Sequence, residues 1–248
     1  MLRPRFLKLE DALISHYVQL PRKPHMDCRP EYIDFALMDE CKALTDTSGS
    51  KSVTRADFDA IIPTLAARWE EERKDELTNA LHPHLPAAPP DTDPLNLAIA
   101  VFPCCCPRVM SGYSHYHYPA VLGHPCSRSM NSLSLLGLGV LDVYTLTAIS
   151  LHSDGFPSKR IYPFALKRLG KSDKVLATSV KAMCNIVTAL GLDPATATVD
   201  DLRNCEGRVC CSTCQTVSDP LYKNSLRGRV YSWEAAVSVS PMQSWFMS

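Results

Sequence analysis

Two clusters of cysteine and histidine constrain this chain more than any other feature of its sequence. The first is Phe102-Pro103-Cys104-Cys105-Cys106-Pro107, followed after sixteen residues by His124-Pro125-Cys126; the second runs Cys205-Glu206-Gly207-Arg208-Val209-Cys210-Cys211-Ser212-Thr213-Cys214. Zinc takes four soft or borderline donors at tetrahedral positions, and close pairs from separate stretches supply them readily because each pair fixes its own local geometry. Cys104 or Cys105 with Cys106, plus His124 and Cys126, make one such set. Cys211 and Cys214 form a Cys-x-x-Cys knuckle, the better-spaced pair. Its partners would be Cys205 and Cys210 or the first cluster, since no histidine or cysteine follows residue 214. The first cluster is compressed: adjacent cysteines tend to point apart, and Pro107 stands where a second spaced cysteine is usual. His115 and His117 are alternative donors, although histidines among Tyr113, Tyr116 and Tyr118 read more simply as exposed loop residues. The candidate ligands are therefore Cys104, Cys106, His124, Cys126, Cys211 and Cys214, with zinc as the expected ion.

Reading thiols as ligands presupposes a reducing compartment. The opening Met1-Leu2-Arg3-Pro4-Arg5-Phe6-Leu7 has no apolar core leading to a small-residue cleavage site, so an intracellular protein, cytoplasmic or nuclear, is expected. Eleven cysteines, an odd number, also fit poorly with a fully paired disulfide framework. Twenty-six Lys plus Arg balance 26 Asp plus Glu, which leaves no net field to draw the chain onto nucleic acid or an anionic membrane. A protein partner fits this surface better. Met130 to Leu151 contains no Lys, Arg or Glu, but Asp142 near its middle costs about 2.5–3.5 kcal/mol on insertion. A buried or weakly structured segment is the expectation there, in preference to a membrane span.

Hydrophobic periodicity predicts a mainly α fold. Phe6 to Leu20 and Glu31 to Leu44 carry helical spacing, separated by Pro21, Pro24 and Pro30. Thr54-Arg55-Ala56-Asp57 is a capping box, and Phe58, Ile61, Ile62, Leu65, Trp69, Leu77 and Leu81 follow on one face. Pro63 removes a donor inside that run, so a kink or restart is expected there, and Glu70 should pair with Lys74 across one turn. The charged run from Glu70 to Glu76 reads as a solvated face. His82-Pro83-His84-Leu85-Pro86 to Pro90 cannot continue a helix and serves as a linker. A helical region over 1–90 and a Cys/His-rich region over 91–248 are thus expected, the latter with small zinc-ribbon-like or knuckle elements.

Within that second region Ser172 can cap a helix over 172–190. Leu176, Val180, Met183, Val187 and Leu190 form its stripe, Cys184 lies beside them as a packed thiol, and Gly191 is its stop. Asp193-Pro194 then makes a turn, and Thr198-Val199-Asp200-Asp201 opens a further short helix. The phosphate-binding, dinucleotide, zinc-protease and serine-nucleophile signatures are absent, so nothing in the sequence names an enzyme.

In order along the chain, several landmarks resemble a large family of uncharacterised proteins from mushroom-forming fungi (basidiomycetes), often described as hypothetical or F-box-like. They are Val53 to Leu81; Asp93-Pro94-Leu95-Asn96-Leu97-Ala98 through Phe102 and Cys104; Tyr118-Pro119-Ala120-Val121-Leu122-Gly123-His124-Pro125-Cys126; Gly191-Leu192-Asp193-Pro194; Arg208 to Cys214; and Trp233-Glu234-Ala235-Ala236-Val237. That family spaces its first cysteine pair, here compressed, and places a histidine where this chain has Val239. The tail from Ser238 to Ser248 departs from the pattern and reads, like Met130 to Leu151, as sequence foreign to it. The resemblance carries no activity. It implies two Cys/His clusters and, through the F-box-like descriptions alone, substrate recruitment in ubiquitin ligation. A zinc-stabilised protein-interaction module is the leading functional expectation, with an enzyme of unrecognised site as a further alternative.

Overall fold

The computed structural model describes residues 2–21, 28–47, 52–87, 89–104, 114–128, 142–153, 160–168, 173–211, 230–233, 235–236 and 245–247. Over these the chain is mainly helical, as the periodicity predicts. Helix α1 (Leu2–Gln19) buries Phe6, Leu9, Ala12 and Leu13, positions that recur at three- and four-residue steps. Residues 31–44 divide into two helices rather than forming one, α2 (Tyr32–Ala36) and α3 (Asp39–Thr45). The break has a local cause. Met38 is extended, and Asp39 and Glu40 suit the positive end of a fresh helix dipole.

The Thr54 box forms as expected, with the Thr54 amide donating to Asp57 Oδ2 at 2.7 Å and opening α4 (Arg55–Asp59). The chain restarts at Pro63, which lies in the first turn of α5 (Ile62–Leu81), where a missing N–H costs no hydrogen bond. Phe58, Ile62, Leu65, Trp69, Leu77 and Leu81 are buried, and Lys74 meets Glu70 at 3.2 Å. Two helices follow from the middle of the chain, α6 (Pro125–Arg128) and α7 (Val143–Ile149). Helix α8 (Asp173–Ala189) buries Val180, Met183 and Val187, and Leu190 just beyond its end is buried too. Leu176 is half-buried, and Ser172 lies outside the described residues. Gly191 ends α8 at φ 77°; its amide donates to the Thr188 carbonyl and the Leu192 amide to the Val187 carbonyl. That pair of bonds is the Schellman arrangement. The Thr198 capping box opens α9 (Val199–Asn204).

The strands are short. β1 (Phe102–Cys104) pairs antiparallel with β2 (Ser114–Tyr116), and β3 (Val209–Cys211) lies between β4 (Val230–Tyr231) and β5 (Trp245–Met247), both antiparallel to it. The tail read from sequence as foreign therefore supplies a strand, with Cys210 opposite Phe246.

Two compact units emerge. One comprises Met1–Lys74 and Leu122–Arg168, the other Asp75–Val121 and Leu169–Ser248. In the first, α1 packs on α2, α3, α4 and α7. Long-range polar bonds fix the short helices: Tyr32 donates to the Ala148 carbonyl at 2.6 Å, and Tyr144 donates to that of Ala36 at 2.6 Å. Asp34 is buried, with one oxygen accepting from the Phe164 amide (2.8 Å) and the other 2.7 Å from Arg128 Nη1. Asp142, read as a burden within an apolar stretch, is instead the exposed N-cap of α7, accepting from the Thr145 amide at 2.7 Å. That hydrogen bond holds its carboxyl below the usual range. Residues 129–141 of the same stretch lie outside the described residues.

The second unit is built on an apolar run. Leu95, Leu97, Ala98, Ile99, Ala100, Val101 and Phe102 are all buried, and α8 packs on β1 and β5. Ala98 donates to the Ala197 carbonyl at 2.8 Å, tying the run to the lead into α9. Among the described residues no helix is long and apolar enough to cross a membrane.

Candidate metal centre

Cys104 closes β1. Alternate side chains of a strand share a face, so Phe102 and Cys104 point the same way, and both are buried, Cys104 to 1 % exposure. The strand's partner places Ser114 opposite Cys104. His124 and Cys126 stand at the entry to α6. Pro125 takes the first helical position, which suits its fixed φ and missing donor. The amide and hydroxyl of Ser127 both donate to the His124 carbonyl, at 3.0 and 2.6 Å. The Cys126 amide faces His124 Nδ1 at 3.2 Å, which fixes the imidazole beside the thiol two residues on.

Within the first unit His124 and Cys126 thus bring an imidazole and a thiol together, His124 buried and Cys126 half-buried; Cys104 is buried at the end of β1 in the second unit. Burial holds the His124 imidazole below its usual pKa, so it is neutral at pH 7 and keeps a lone pair to offer. Thiolate and imidazole donors suit a soft or borderline divalent ion, whose charge thiolates help to balance.

Of the remaining candidates, Cys106 and Cys214 lie outside the described residues, as do Cys105 and the side chain of Cys211, whose backbone belongs to β3. Cys210, beside it, is buried in the sheet, and Cys205 lies just past α9 with its sulfur against Gly207. His115 and His117 are not exposed loop residues. His115 belongs to β2 with Nε2 3.1 Å from Ser179 Oγ, and His117 Nε2 lies 2.9 Å from the Ala98 carbonyl, its ring edge-on to Trp233. Burial holds the His117 imidazole below its ordinary pKa.

Sequence reasoning missed the Ser179–His115 contact, since nothing links a helix serine to a strand histidine 64 positions away. Its spacing is that of a nucleophile and its base. Ser179 is only 1 % exposed, however, so the contact ties α8 to β2 and offers a substrate no approach. Comparison with protein-family models, curated proteins and solved structures finds no match for this chain.

Proposed function

We propose that this chain is a zinc-stabilised protein-interaction module whose ion is held by thiol and imidazole donors, His124 and Cys126 among them. The observation that carries the reading is the seating of the His124 imidazole beside Cys126 in the first unit, with the Cys126 amide 3.2 Å from Nδ1. Zinc is favoured over harder ions because the donors include sulfur. Cys126 sits in a four-residue helix, an element too short to be stable alone. A metal bound there contributes its binding free energy directly to folding. In this reading the thiols stay reduced in an intracellular compartment.

The interaction half of the proposal rests on α1. Leu7, Ile14 and Val18 lie on its outward side at seven- and four-residue steps and are exposed, Val18 to 78 %. Such a stripe is suited to another protein's apolar surface.

Metal analysis of the full chain, purified under reducing conditions with zinc supplied, tests the reading. Stoichiometric zinc is expected, lost together with ordered structure on chelation and lost in the Cys126→Ala chain. A folded native chain free of transition metal would overturn it.

A further inference from the structure

The ion pair of the first unit leaves one charged donor over. Arg128 is 7 % exposed, and its guanidinium lies 2.7 Å from Asp34 through Nη1 and 3.4 Å from Glu31 through Nε. Its Nη2 is buried and finds no hydrogen-bond partner among the described residues. Asp34 is already well supplied, since its two oxygens accept from the Glu31 and Phe164 amides, each at 2.8 Å. The Tyr17 hydroxyl is a second buried polar group without such a partner. Arg29, Asp34, Glu70 and Arg128 lie close enough to that phenol for their charges to act on it. The Arg29 guanidinium covers the Tyr17 ring 4.5 Å from its centre and donates to the Tyr17 carbonyl at 3.3 Å, and no carboxylate pairs with it among the described residues. All six side chains belong to the first unit.

We infer that this part of the first unit is a binding site for a carboxylate, held by Arg128 Nη2, the Tyr17 hydroxyl and Arg29. A buried donor left unmade is costly, more so when it is charged, and guanidinium and hydroxyl groups both donate, so the ligand must bring acceptor oxygens. Charge sets its valence. Asp34 balances Arg128, and Arg29 adds one positive charge with no carboxylate of its own, which suits a monoanion; Glu31 and Glu70 repel any further negative charge. The two oxygens of a carboxylate can each take a donor from a different side chain, and bonds from guanidinium to carboxylate are among the stronger hydrogen bonds. Tyr17 and Arg29 are half-buried, which leaves the group reachable from solvent. A free acid and the C-terminus of a peptide share this chemistry. The site needs no metal ion, so it stands apart from the zinc reading.

The experiment uses the full chain, purified with zinc supplied, and follows saturation transfer from the protein to the methyl protons of acetate at constant sodium chloride. Alanine tripeptides with a free and with an amidated C-terminus are titrated in the same way. Saturable transfer to acetate, to the free tripeptide or to both is the expected result, with none to the amidated tripeptide. Acetate alone identifies a free acid as the source, and tighter binding of the free tripeptide identifies a peptide terminus. Tyr17→Phe keeps the ring beneath Arg29 and removes only the hydroxyl. It should weaken binding about tenfold, yet unfold no sooner than the native chain in ligand-free buffer, because the lost group had no partner. Arg29→Gln should weaken binding to a similar degree. Arg128→Lys keeps a charge toward Asp34 but removes Nη2, and should abolish binding; if it does not fold, Tyr17→Phe and Arg29→Gln decide. No saturable transfer to any of the probes, equal binding of the amidated tripeptide, or binding undiminished in Tyr17→Phe overturns the site. Displacement of acetate by sulfate below the Kd of acetate overturns the choice of a monoanion.

Discussion

The first unit packs α1 and several short helices around a buried ion pair, whereas the second gathers an apolar run and the amphipathic helix α8 against small sheets. In the first, α2 and α3 span five and seven residues, too few for propensity or a single apolar stripe to hold them. Their positions depend on particular polar contacts: Asp34 with Arg128 and the Phe164 amide, Tyr32 with Ala148, Tyr144 with Ala36. In the second, Leu95 to Phe102 and the stripe of α8 bury area without directional demands. Polar ties specify an arrangement more sharply than apolar burial does, and they are correspondingly brittle when one partner is removed.

The largest effect that would sharpen this contrast is expected from Arg128→Ala. Arg128 is 7 % exposed, and its loss strands the Asp34 carboxylate, so about 3–5 kcal/mol of stability should disappear in denaturant titration. Hydrogen exchange should register the loss first over Tyr32–Ala36; unchanged protection there would undo the contrast. Met183→Ala opens a cavity beneath α8 and should cost about 3 kcal/mol, with exchange accelerating in Asp173–Ala189. Smaller still is Gly191→Ala. Its φ of 77° is left-handed, and an added Cβ would meet nothing within 4 Å, so the expected cost of about 1–2 kcal/mol is backbone strain alone. A thermal midpoint unchanged by that substitution would contradict the Schellman end of α8.

The smallest effect concerns pH. Burial lowers the His117 pKa, so the unfolded chain takes up a proton at higher pH than the folded one. Stability is then fully present above the unfolded pKa, near 6.5, and declines as pH falls below it. His117→Gln keeps a donor for the Ala98 carbonyl but cannot titrate. The slope of unfolding free energy against pH on the acid side of 6.5 should flatten in that chain, and an unaltered slope would place the titration elsewhere.

Features whose physics is local were legible in the sequence. The boxes at Thr54 and Thr198, the restart at Pro63, the Glu70–Lys74 pair and the stop at Gly191 depend on residues within five positions of one another. The pairing of His124 with Cys126 was equally readable, because two residues around a proline share one turn. The break at Met38 was less visible, since a helix of apolar spacing continues through it and only the tertiary bonds of Tyr32, Asp34 and Tyr144 hold the two halves in place. Asp142 reads from sequence only as a cost of crossing a membrane; its capping bond to the Thr145 amide three residues on is local, but it goes unread because no helix is expected to begin there.

By itself, then, the order of residues determined where α4 and α9 begin, where α8 stops, which stripe α5 and α8 bury, and that thiol and imidazole donors are present in quantity. Only the tertiary structure decided which distant groups meet. It turned His115 and His117 toward Ser179 and Ala98, and gave the last strand of the tail a place beside β3. The division follows from range: capping and periodicity act within one or two turns of backbone, whereas contacts between distant stretches are set by the packing of the unit that holds them.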